Sequence, residues 1–63
     1  MHNVRAYKWI EGMLEVGDTV LATFEEALDF AERVEGHLVK IFDHNNLLVH
    51  EKHKKNEKEE SYA

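Results

Sequence analysis

One segment limits the folds open to this chain more than any other. "TFEEALDFAERVEG", residues 23–36, is the stretch whose apolar residues recur at helical spacing. Phe24, Ala27, Leu28, Ala31 and Val34 share a face, with Phe30 at its edge. Thr23 and Glu26 form a capping box: the threonine hydroxyl can accept from the Glu26 amide, and Glu26 can reach back. Gly36 suits the left-handed residue that ends a helix. A chain with one helix must build the rest of its core from strands.

The flanks supply them. "VRAYKWIEGMLEVGDTVLATF" is rich in β-branched and aromatic residues and carries two turn signals, Glu11-Gly12 and Gly17-Asp18. A hairpin with strands near 4–10 and 13–22, turning at Glu11-Gly12, is favoured. Gly17-Asp18 is then a bulge or bend in the second strand. A turn at Gly17-Asp18 is the alternative. Alternation sets Val4, Ala6 and Ile10 on one face of the first strand, and Tyr7 and Trp9 on the other. After the helix, Leu38–Phe42 and Leu47–Val49 are the strand cores of a second hairpin. Asn45 and Asn46 in its turn tolerate positive φ. Residues 1–53 make a single small domain, and "KKNEKEESYA", residues 54–63, is expected to be a disordered charged tail.

The expected fold is α+β, in the order β-β-α-β-β, with one helix packed on a small, mainly antiparallel sheet. One helix covers one face, yet "LVKIF" and "LLV" are apolar on both, and Tyr7 and Trp9 need cover. A chain this short buries only about 60% of its unfolded surface, so stability is marginal. There is no cysteine, which excludes disulfides and thiolate metal sites. A second copy of the chain is the simplest cover. A homodimer with Tyr7 and Trp9 at its interface is expected.

Little points to catalysis. Ser61 lies in the tail, and Gly12, Gly17 and Gly36 are too scattered for a phosphate loop. Of the five histidines, His50 and His53 fall on opposite faces of a strand, while His37 and His44 flank one. No enzymatic activity, metal or cofactor is expected. No apolar run approaches the ~20 residues of a membrane span, and the amino terminus lacks a signal-peptide core. A cytoplasmic protein without membrane contact is the expectation.

Charge is the remaining signal. The net −5 sits entirely in residues 1–50, nine acids against four bases; beyond them four lysines meet four acids. Such a body repels nucleic acid and attracts basic proteins. Tyr7 and Trp9 are therefore not expected to stack bases, since stacking platforms lie in basic grooves. At 100° per residue, Glu25, Asp29 and Glu32 form a narrow stripe opposite Ala27, Ala31 and Val34, while Glu26 and Arg33 lie together as a compensated region. Glu35 sits at the other flank. Glu25 and Glu26 suit the helix amino end; Glu32 and Glu35 oppose the dipole at the other end. The like-charged pairs Glu25/Asp29 and Asp29/Glu32 each cost about 0.2–0.5 kcal/mol. Glu11, Glu15, Asp18 and Asp43 extend the field if their loops share a side.

The hairpin followed by "ATFEEALDFAE" and a strand, roughly residues 5–42, resembles the hairpin–"T-x-x-EAL-x-x-A"–strand arrangement of T7-type phage inhibitors of bacterial RNA polymerase. In size and acidity the chain is also similar to Bacillus-phage proteins that imitate DNA and block the nucleoid protein HU. This resemblance to small phage-encoded host-takeover proteins implies an inhibitor acting in the host cytoplasm. It would occupy the nucleic-acid-binding surface of a basic host protein as a DNA mimic. The expected partner-binding residues are Glu25, Asp29, Glu32, Glu35, Glu11, Glu15 and Asp18. A structural dimerisation module, its acidic face merely solubilising, is the alternative.

Overall fold

A computed structural model describes residues 1–54. The order is β1 (His2–Ile10), β2 (Met13–Leu21), α1 (Phe24–Arg33), β3 (Leu38–Phe42) and β4 (Leu48–His53). This is the α+β, β-β-α-β-β arrangement that the sequence predicts. Of the expected disordered tail, 54–63, all but Lys54 lies outside the described residues.

The first hairpin turns at Glu11-Gly12. Both residues have positive φ, 51° and 80°, the twist that joins two strands tightly. Pairing then runs without a break from Ile10↔Met13 to His2↔Leu21. The bulge or bend expected at Gly17-Asp18 is not there: Gly17 pairs with Ala6 and Asp18 with Arg5 in unbroken register. The irregularity falls in the other hairpin, between Ile41 and Phe42, where β3 and β4 slip. The β4 strand also runs further than Val49, to His53, because Lys52 and His53 pair with Val39 and Leu38.

The sheet order is β2-β1-β3-β4, with antiparallel neighbours throughout. β1 is central, so the link from β2 through α1 to β3 crosses over it, a split β-α-β unit. That crossing lays α1 on one face of the sheet, against β1, β3 and β2. Val4, Val39 and Ile41 meet Ala27 and Ala31 there, all essentially buried. Each of the three large side chains contributes about 1.5–3 kcal/mol by leaving water. Ala6, Leu21, Leu28, Phe30 and Val34 pack around this centre.

The helix begins as expected. The Glu26 amide donates to Thr23 Oγ1 at 3.1 Å, and Thr23 Oγ1 donates to the Glu26 carboxylate at 3.2 Å. Its end differs. Val34 already has extended backbone, and Gly36 does not adopt the left-handed conformation. Gly36 is needed for closeness instead: a Cβ there would sit 3.1 Å from the Tyr7 carbonyl oxygen. Without one, His37 presses onto β1. Its amide donates to Tyr7 O at 2.7 Å, and its ring Nδ1 accepts from the Trp9 amide at 3.0 Å.

Candidate interaction surfaces

Among the described residues, nothing covers the face of the sheet opposite α1. Alternation places Arg5, Tyr7 and Trp9 on it from β1, and Leu14, Val16, Asp18 and Val20 from β2. β3 adds Leu38, Lys40 and Phe42. Trp9 is 58% exposed, Leu14 47%, Val16 48% and Val20 58%. Contiguous apolar patches of this kind are uncommon on the surface of a monomeric soluble protein.

A row of charges crosses that face in strand order: Asp18, Arg5, Lys40, Glu51. Arg5 meets Asp18 at 2.8 Å, and Lys40 lies 3.9 Å from Glu51. Asn3 donates to Asp18 at 3.0 Å. These bonds, the Asn3 amide first and Arg5 second, hold the Asp18 carboxyl below the usual range. Each cation also lies over a ring, Arg5 over Phe42 at 5.4 Å and Lys40 over Tyr7 at 5.7 Å. The two carboxylates and two cations cancel. The aromatic face is thus neutral, and Lys8, which neighbours Tyr7 and Trp9 in sequence, lies on the helix side.

The acidic helix is less bare than its sequence suggests. Arg33 bonds Asp29 at 2.6 Å rather than Glu26, because a residue four positions back lies directly below it. Glu26 is held by Thr23. Glu32 receives Lys52 from β4, which depresses its carboxyl below the ordinary value. Lys54 donates to the Val34 carbonyl and, at 3.2 Å, to that of Glu32. A cation at the carboxyl end offsets the helix dipole that Glu32 opposes. Burial lowers the Lys54 pKa. Of the stripe Glu25, Asp29 and Glu32, only Glu25 is without an ion pair among the described residues.

The other expected acids are dispersed. Glu11 is at the hairpin tip, and Asp18 turns to the open face. Asp43 organises the second turn, accepting from the Leu47 amide at 3.0 Å and the Asn45 amide at 2.8 Å. The Leu47 bond is the larger cause of its depressed pKa. Asn46 takes positive φ, 67°. Glu15 and Glu35 do converge. Past the end of α1, paired Ala6 and Gly17 leave the helix side of the sheet without side-chain bulk. A cleft of about 260 Å³ opens there, lined by Phe30 and Val34 and bordered by Lys8, Glu15 and Glu35.

The histidines do not form a site. His50 and His53 take opposite faces of β4, and His53 bonds Glu51 at 2.9 Å. His2 stacks obliquely on Phe24 at 5.4 Å, and His44 lies in the turn. Among the described residues no three metal-ligating side chains group together, and no helix is long and apolar enough to cross a membrane. The chain matches no protein-family model, no curated protein and no solved structure.

Proposed function

We propose that this protein is a non-enzymatic interaction module that self-associates through the open face of its sheet. The uncovered apolar surface of Trp9, Leu14, Val16 and Val20 carries the reading. The neutral charge row supports a second copy as the cover: two acidic chains can meet there without bringing their net charge into contact. Size supports it too. Four strands of five to nine residues, ~4.8 Å apart and ~3.3 Å per residue, give a flat footprint of about 400–500 Å². Side chains in relief raise its accessible area toward the ~800 Å² per partner of a standard interface. Sedimentation velocity tests this. The wild type is expected to sediment as a dimer, Val16→Glu as a folded monomer, and Glu25→Lys, on the helix side, as a dimer. A wild type that stays monomeric at high concentration removes the proposal.

A second reading concerns the helix side, which face-to-face pairing would present outward on both copies. Glu15 and Glu35 converge there without ion pairs among the described residues, and Glu25 adds a third unpaired carboxylate. These favour a basic partner, and the phage-type inhibitor acting as a DNA mimic is the specific form this would take. The charge would act at short range, since the Debye length at physiological salt is ~8 Å. Capture of a basic nucleic-acid-binding protein at low salt, released by salt and displaced by DNA, is the expected result. Capture that resists both salt and DNA argues against it.

A further inference from the structure

We infer that the cleft over Ala6 and Gly17 is a receptor for one arginine side chain of a basic partner protein. The inference rests on the second reading above, that the helix side meets such a partner. Three features argue for this occupant. The first is size: about 260 Å³ falls below the ~300–1,000 Å³ of pockets that enclose drug-sized ligands, and fits a single side chain. The second is shape. Ala6 and Gly17 are the smallest pair in the β1–β2 ladder, and a Cβ built on Gly17 meets nothing within 4 Å. The space over them is open to an alkyl stem, with Phe30 and Val34 as apolar lining. The third is charge. Glu15 on β2 and Glu35 after α1 border the cleft against one cation, Lys8. None of the three makes an ion pair among the described residues. With Asp18 already balanced by Arg5, the site carries one net negative charge and selects a side chain carrying one positive charge. Arginine suits it better than lysine, because a guanidinium is planar, stacks on rings such as Phe30 and can bond two carboxylates at once. The stem would rest on the glycine floor while the head stays at the wetter border.

Amide NMR titration of the full chain with acetyl-Gly-Arg-Gly-amide tests the site without knowledge of the partner. The same peptide with citrulline in place of arginine keeps the shape and removes the charge. Saturable shifts centred on Gly17, Phe30 and Glu35 are expected with arginine. Citrulline should bind roughly tenfold more weakly or worse, the cost of losing a charge-assisted bond. Gly17→Val should abolish the shifts. Gly17 has no positive φ, so valine is at home in that strand and the fold should persist. If Gly17→Val does not fold, Glu15→Gln with Glu35→Gln takes its place, and a tenfold loss is again expected. Absence of saturable shifts, equal response to citrulline, shifts centred on Glu25 and Asp29, or undiminished binding in the folded variant would each overturn the inference. Lysate capture tests the basic partner by a separate readout, so a partner that binds normally to Gly17→Val would refute the cleft while leaving that reading in place.

Discussion

At the scale of single residues, the carboxylates divide by what they touch. Asp18, Glu32 and Asp43 are bonded, and each has its pKa lowered in the fold, chiefly by Asn3, Lys52 and the Leu47 amide respectively. A carboxyl whose folded pKa lies below its unfolded value stabilises the fold above the unfolded value. That contribution is lost as pH falls through the folded value. The reference values are 3.8 for aspartate and 4.5 for glutamate, so the loss belongs to the acid side of that range. Asp43→Asn isolates one share of it. The asparagine carbonyl can still accept the turn amides, but it does not titrate. Urea midpoints above and below the carboxylate range should therefore differ less in Asp43→Asn than in the wild type. An identical acid sensitivity would show that the turn does not depend on the charge of Asp43.

At the scale of elements, the local signals proved sufficient where the cause was local. The capping box, the Glu11-Gly12 turn and the Asn46 conformation follow from neighbouring residues, and each was legible in the sequence. Thr23→Ala should then cost about 1 kcal/mol, a fall in Tm of roughly 4–8 °C for a domain near this size. Thr23→Ser should restore most of it, and thermal unfolding followed by circular dichroism measures both. What was not legible depends on strands far apart in sequence. Gly36 carries the sequence signal of a helix terminator, but its role is set by the Tyr7 carbonyl, twenty-nine positions away in sequence and 3.1 Å from where a Cβ would sit. In the sequence Lys52 and Lys54 belong to the balanced charges beyond residue 50, yet they reach Glu32 and the last helix carbonyls. That contact exists only because β4 extends to His53 beside β3. The acidic stripe was therefore visible in the sequence, while its compensation was not. The cleft had a faint signal in the facing small residues Ala6 and Gly17, but reading it required the hairpin register.

At the scale of the molecule, the balance of covered and open faces decides what must be measured. Among the described residues only Val4, Ala27, Ala31, Val39 and Ile41 are fully inside, and two of these are alanines. Such a core leaves a single copy with little surplus over the entropy of ordering the chain. If a second copy covers the sheet, part of the stability is association free energy, and Tm must rise with protein concentration. For a folded dimer that melts to unfolded monomers, a roughly hundredfold increase should raise Tm by on the order of 10 °C, given ~0.7 kcal/mol of unfolding enthalpy per residue. Val16→Glu sets a buried charge against the partner's sheet but remains in water on the monomer. It should thus lower Tm most at high concentration and make it nearly independent of concentration. Parallel curves for the wild type and Val16→Glu, both flat with concentration, would mean that the small core is enough by itself. The open face would then be free for a different partner, since self-association would contribute nothing to its stability.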